Sequence, residues 1–300
     1  MKRVAPFFIL LAGMLWGSMG VFVRTLNGAG LATMDIVTIR NIGTTILLGI
    51  FLLCYNRRLF RIKIKDIWCF LGTGLCSIVF FNYCYFKTIT FTSLSVAAVL
   101  LYTAPAFVMV MSFFLFKEKL SKVKVAALIF TLVGCAMVTG IMSGEHSITA
   151  LGILTGIGAG FGYALYSIFS RFALEKGYHI FTILFYTFGL AMFGSIPMSN
   201  VGGIVSYVTG SWFDAGFTLI FVLASTVIPY FLYTSGLRYV ENGPASIIAS
   251  VEPVVATLIG VVFMHETMSV FNIIGVVLVL GSIVMCNVTS IVNLSEADKM

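Results

Sequence analysis

Long apolar runs separated by short polar segments dominate the pattern of this 300-residue chain. Most runs are close to the 20 apolar residues that a transmembrane helix needs, and charged residues, Gly, Asn or Pro bound them. The first run follows Lys2 and Arg3, but it is too long for a cleaved signal and leads directly into a second run, which favours a permanent anchor. The pattern therefore predicts an all-α polytopic membrane protein with ten transmembrane helices, near residues 5–25, 34–55, 67–87, 94–116, 123–142, 150–172, 180–198, 215–237, 245–264 and 270–290.

The composition agrees with a chain that lies in lipid. Hydrophobic residues make up 60% of the sequence and charged residues 10%, with a mean hydropathy of +1.07. Soluble domains have about 25% charged residues, so a soluble enzyme, a nucleic-acid binder and a disordered protein are excluded. The six cysteines are scattered without a C-x-x-C pair, and a P-loop is lacking, so we expect no zinc site, no ATP hydrolysis and no cofactor.

The positive charges predict an orientation. With the N-terminus inside, all of the 18 Lys and Arg residues except Arg24, Arg40 and Lys87 fall in cytoplasmic segments. The positive-inside rule therefore predicts an inner (plasma) membrane protein with both termini in the cytoplasm. The net charge of +7 is explained by this topology, and no nucleic-acid partner is expected.

The chain contains an internal repeat at an offset of 148 residues, with residues 94–121 over 242–269. Each half holds five predicted spans, so the second copy is expected to be inverted relative to the first, as in alternating-access transporters with a midplane substrate site. We divide the chain into a first repeat at 1–145, a second at 146–292 and a cytoplasmic tail at 293–300. The superposed pairs are Ala97 with Ala245, Pro105 with Pro253, Glu118 with Glu266, Ser121 with Ser269 and, after a slip of one residue, Trp16 with Tyr163.

Two long runs carry a resemblance to a known family. The segments YTAPAFVMVMSFFLFKEKLSKVKVAALIFTLVGCAMV and EPVVATLIGVVFMHETMSVFNIIGVVLVLGSIVM resemble the two EamA repeats of the drug/metabolite transporter superfamily. The stretch Gly13-Met14-Leu15-Trp16-Gly17 and Arg40 are also similar to that family. The resemblance implies a ten-helix exporter or permease of small metabolites, often amino acids, amines or related compounds. Span seven lacks an arginine equivalent to Arg40, and Ala104 stands where the second repeat has Glu252.

Two charged residues within predicted spans are candidates for binding. Glu252 lies deep in span nine and could exchange a proton during transport, bind a substrate ammonium, or only donate a hydrogen bond to a neighbouring helix. Ala104 at the equivalent position indicates that the scaffold does not require an acid there, which favours a functional role for Glu252 over a structural one. Arg40 could be a counter-charge for Glu252, a partner for a substrate carboxylate, or a side chain that caps carbonyls at the outer edge.

Aromatic and polar residues on several spans predict a central, weakly charged cavity. They could also simply pack the bundle, because a buried tyrosine hydroxyl needs a partner in either case. Pro105 and Pro253, at equivalent places, are predicted to be symmetric hinges, with static kinks as the alternative. Glycines repeat every four residues on spans one and six, which predicts close contact of these two spans. The candidate cavity residues are Trp16, Asn82, Tyr85, Tyr102, Tyr163, Tyr230 and Tyr233.

Together these features predict a secondary transporter, and not an enzyme. We expect export of small metabolites such as amino acids or amines, by alternating access through the central cavity. The alternative is an uncoupled, channel-like facilitator for similar molecules. The expected partners are a small-molecule substrate and the lipid bilayer, with proton coupling and the oligomeric state left open by the sequence.

Overall fold

The computed structural model describes residues 4–139, 141, 149–264 and 267–297, with the backbone alone at 264 and 287–297. The described residues form helices and the turns between them, without a β-strand. The predicted all-helical membrane fold is therefore confirmed. Glu266, the repeat partner of Glu118, lies outside the described residues.

The long helices are numbered here to match the predicted spans. The helices are α1 (Ala5–Gly28), α2 (Thr33–Tyr55), α3 (Ile64–Phe91), α4 (Leu94–Phe116), α5 (Lys122–Val138), α6 (Ala150–Glu175), α7 (Ile180–Met198), α8 (Trp212–Leu237), α9 (Asn242–Phe263) and α10 (Val270–Ala297). Eight of them, α1 to α4 and α6 to α9, are each long and apolar enough to cross a bilayer. The helices α5 and α10 pack along each other, and the side chains of Thr131 and Ser282 bond between them at 2.8 Å.

A short helix between α7 and α8 is absent from the prediction. Val201–Gly210 is helical but, at 10 residues, is too short to cross a bilayer. Asn200 begins this helix, because its side-chain oxygen accepts the N–H of Gly203 at 3.0 Å. Asp35 in turn accepts the backbone N–H of Asn200 at 2.7 Å, so this short helix is tied to the start of α2.

The helices α4 and α9 are each broken at the same place in the repeat. The first halves end at Leu101 and Ala249, and the second halves begin at Ala104 and Glu252. Each proline therefore occupies the first turn of a half-helix, where its missing N–H costs no intrahelical hydrogen bond. The structure thus has a two-residue interruption before Pro105 and Pro253, and the role of these interruptions as hinges stays a prediction.

The regularly spaced glycines pack helices closely, but with partners that differ from the prediction. On α1, a Cβ at Gly17 would lie 2.5 Å from the backbone oxygen of Glu252, so this face packs on the break of α9. On α6, a Cβ at Gly160 would lie 2.5 Å from the hydroxyl of Thr103, so this face packs on the break of α4. The predicted glycine contact between spans one and six is therefore wrong: each glycine face meets the broken helix of the other copy.

This packing predicts a stability difference between two glycines of α1. Gly17→Ala would push α1 away from backbone and Val255 atoms that cannot rotate aside, so we expect a loss of about 1–3 kcal/mol. Gly20→Ala meets nothing within 4 Å and should be neutral or stabilising by up to about 1 kcal/mol. Thermal unfolding of the purified variants measures both, and equal unfolding temperatures would contradict the close packing.

Candidate functional site

A cavity lies between α1, α3, α6 and α8. These four helices form two repeat-related pairs, α1 with α6 and α3 with α8, so the cavity lies where the two copies meet. The space open to the centre of a water-sized sphere is only about 10 Å³, room for about one water molecule, so the cavity is nearly closed in this structure. The lining residues are Trp16, Ser77, Ile78, Phe81, Tyr163, Tyr166, Ser167, Tyr230 and Tyr233.

Trp16 is the centre of the aromatic wall. Its ring lies 6.4 Å from that of Tyr163, 5.0 Å from Tyr230 and 5.4 Å from Tyr233, measured between centroids. The first two contacts are edge-to-face, which aromatic quadrupoles favour. The predicted repeat partners Trp16 and Tyr163 are therefore in contact within one site.

Two tyrosine hydroxyls of the wall already have hydrogen-bond partners within the protein. The Tyr233 hydroxyl bonds that of Ser167 at 2.7 Å, and the Tyr166 hydroxyl bonds that of Thr234 at the same distance. The indole Nε1–H of Trp16, in contrast, is buried without an acceptor among the described residues. Because an unpaired buried donor is costly, an acceptor group on a bound molecule would be favoured beside Trp16.

Glu252 is next to the cavity, at the break of α9. It is the first residue of the second half-helix, and one carboxylate oxygen accepts the hydroxyl of Tyr163 at 3.3 Å. A helix N-terminus stabilises a negative charge, so the break gives the carboxylate a favourable position. The equivalent half-helix of α4 begins with Ala104, so the site holds an acid on one side only.

Arg40 is buried close to the same site, with an exposed fraction of 6%. Its Nε donates to the hydroxyl of Thr226 at 3.0 Å, and Nη1 contacts the sulfur of Met19 at 3.1 Å. The ion pairs found in the described part of the chain do not include Arg40. Thr226 is one helical turn from Tyr230, so Arg40 lies just beyond the cavity wall, and it interacts electrostatically with Tyr230 and Glu252.

Three of the predicted cavity residues are not among those that line it. Asn82 donates to the carbonyl of Ile78 in its own helix at 2.7 Å. The ring of Tyr85 packs on that of Phe81, and Tyr102 packs against the central apolar core at the break of α4. Their roles in binding therefore stay predictions without a direct contact to the cavity.

Five lining residues are not among those predicted from the sequence. Tyr166 and Ser167 follow Tyr163 by one helical turn, and that spacing is a signal that could have found them. Ser77, Ile78 and Phe81 carry no such signal. They lie in or beside a wide, π-helical stretch at Gly72–Val79, which has a counterpart at Leu223–Val227 in α8. Such stretches often occur at functional sites.

A second polar cluster lies at the predicted cytoplasmic end of the bundle. The two oxygens of Glu118 accept the backbone N–H groups of Asn242 and Gly243 at 2.8 and 3.2 Å. Arg171 lies 3.9 Å from the same carboxylate. Burial raises the pKa of Glu118, and the two backbone hydrogen bonds oppose that shift. Close by, Ser121 is the N-cap of α5, because its hydroxyl accepts the backbone N–H of Lys124 at 3.2 Å.

The all-helical fold, with its long apolar helices and a cavity where the two copies meet, defines an integral membrane protein. A crystal structure of another protein has the same fold, with a TM-score of 0.78 over 97% of this chain and 98% of that one, at 16% identity. The model of the EamA-like transporter family matches residues 3–140 and 150–288. The chain belongs to the EamA-like transporter family, and the predicted family is confirmed.

The curated relatives are transporters as well. The uncharacterized transporter YxxF of Bacillus subtilis is 27% identical over 286 residues, which cover 93% of this chain and 88% of the relative. An uncharacterized transporter of Archaeoglobus fulgidus is 27% identical over 284 residues, with 92% and 93% covered. The uncharacterized inner membrane transporter YicL of Salmonella typhimurium is 22% identical over 94% of both chains. The protein is therefore a transporter, and not an enzyme.

Proposed function

We propose that the protein is a secondary transporter that exports small metabolites with an amino group, such as amino acids or amines. The observation that carries this proposal is the contact of Glu252 with Tyr163 beside the aromatic wall around Trp16. Aromatic faces attract ammonium groups, and a neighbouring carboxylate adds a full negative charge. The family resemblance implies an exporter or a permease, and export is the direction proposed here.

The broken helices support an alternating-access cycle. The interruptions before Pro105 and Pro253 lie at equivalent places in the two copies, beside the shared cavity. Rocking of the copies about these interruptions would expose the cavity first to one side and then to the other. Both termini are cytoplasmic in this proposal, as the distribution of Lys and Arg predicts.

Glu252 also offers a simple route to coupling. A single carboxylate that holds either a proton or a substrate ammonium makes the two mutually exclusive. Each cycle would then exchange a proton for the substrate. In an uncoupled facilitator, the alternative function, Glu252 would only support the fold.

This proposal is tested in two steps: a binding screen identifies a substrate, and counterflow is then measured with that substrate. A thermal-shift screen of amino acids and amines on the purified protein should find a ligand that raises the unfolding temperature, since a ligand at 100 times its Kd stabilises by about 2.7 kcal/mol. We expect that ligand to show counterflow in proteoliposomes and to respond to a proton gradient. Flux without counterflow or gradient response would favour the facilitator, and a protein without ligand or flux would contradict both.

A further inference from the structure

Glu118 joins the two copies at the predicted cytoplasmic end. It comes from the first copy, just after α4, and its partners Asn242, Gly243 and Arg171 all come from the second copy. The side chain of Asn242 also donates to the hydroxyl of Ser112 on α4 at 3.2 Å. These five residues are called the latch below.

The latch holds the turn that connects two walls of the site. Arg171 donates to the carbonyls of Leu237 and Val240 at 2.6 and 2.9 Å, at the end of α8. Glu118 holds the first residues of α9. The helix α8 carries two tyrosines of the cavity wall, and α9 carries Glu252, so the latch fixes the position of both relative to α4.

The latch is also protected from water. Glu118 is 9% exposed and Asn242 is fully buried. Hydrogen bonds to a charged group are roughly twice as strong as those between neutral groups. Separation of α4 from the α8–α9 turn would break two such bonds and the contact with Arg171 at once.

We propose that Glu118 and Arg171 are positioning residues that keep the cavity closed toward the predicted cytoplasmic side. The proposal rests on the alternating-access function proposed above. Opening toward that side requires α4 to move away from the start of α9, and the latch is the set of contacts that this movement breaks. Release of the latch shifts the transporter toward its cytoplasm-open state.

A neighbouring ion pair provides the matched control. Lys124 pairs with Glu241, directly before the latch residues of α9. The Glu241 side chain is 50% exposed, in contrast to that of Glu118. The buried Lys124 ammonium also donates to the carbonyl of Lys119 at 2.9 Å, and glutamine keeps an acceptor oxygen at position 241, so Glu241→Gln should leave the latch closed.

The reporter is Trp16, which lies in the cavity wall. The chain has three tryptophans, and Trp68→Phe with Trp212→Phe leaves Trp16 as the single fluorescent indole. Iodide is added to one side or the other of membrane vesicles of known orientation. This measurement needs no substrate, so it stands or fails independently of the transport assay.

In this background, Glu118→Gln should shift the equilibrium toward the open state by about 10-fold or more. Quenching of Trp16 by iodide on the cytoplasmic side should therefore rise, with no rise for iodide on the other side. Ser112→Ala, a milder change, should act in the same direction with a smaller effect, and Glu241→Gln should change nothing. The proposal is overturned if folded Glu118→Gln and Ser112→Ala proteins both quench like the parent, or if quenching rises equally from both sides.

Discussion

Replacement of Glu252 by glutamine is expected to reduce coupled transport by about 100-fold or more. The variant lacks the carboxylate of the proposed pair between Glu252 and the substrate ammonium, and loss of one partner from a desolvated charge pair costs about 2–5 kcal/mol. The glutamine keeps the size of the side chain and can still accept the hydroxyl of Tyr163. It cannot carry a negative charge or take up a proton at any ordinary pH. The pH dependence of the remaining rate should therefore be flat.

The measurement is counterflow and proton-driven flux in proteoliposomes over a range of pH. Glu175→Gln is the matched control, because Glu175 is an exposed acid at the end of α6 and should retain the parent rate. Tyr163→Phe removes the hydroxyl that bonds Glu252 and should have an intermediate effect. If Glu252→Gln keeps the full rate and its pH dependence, the proposed role of Glu252 is wrong.

The membrane fold could be predicted because the length and spacing of the apolar runs in the sequence reflect its physical requirements directly. Hydrocarbon thickness fixes the length of the apolar runs, so the positions of the helices follow from the pattern. The repeat then placed Trp16 and Tyr163 as partners, and their rings are in contact. The short helix Val201–Gly210 was not predicted, because it is too short to be recognised as a transmembrane span.

The membership of the cavity wall could not be predicted in the same way. In a membrane bundle the helices are apolar on every side, so the sequence lacks the polar face that orients a helix in a soluble protein. Asn82 illustrates this limit: its polarity suggested the cavity, but its amide bonds the backbone of its own helix. The partners of Glu118 were equally hidden, since they are backbone N–H groups 124 and 125 residues away.

Arg40 and Glu252 together bear on the type of substrate. Arg40 is buried and Glu252 is half-buried, and both interact electrostatically with Tyr230. Arg40 lacks an acid in hydrogen-bonding contact among the described residues. The Nε1–H of Trp16 is a further donor, and it is buried without an acceptor among the described residues. A simple amine would satisfy Glu252 alone, but an amino acid would bring a carboxylate to these donors as well.

Replacement of Arg40 by glutamine therefore separates the two substrate types. If Arg40 meets a substrate carboxylate, Arg40→Gln should raise KM for an amino acid by about 10–100-fold, the value of a charge-assisted hydrogen bond. The amine that lacks only that carboxylate should keep its KM within about 2-fold. Arg40→Lys should fall between the parent and the glutamine variant, because it retains the charge but loses the planar fork of donors. If Arg40 instead serves as a counter-charge for Glu252, transport of the amino acid and of its matched amine would fall by the same factor, so paired flux measurements on phenylalanine and phenethylamine distinguish the two roles.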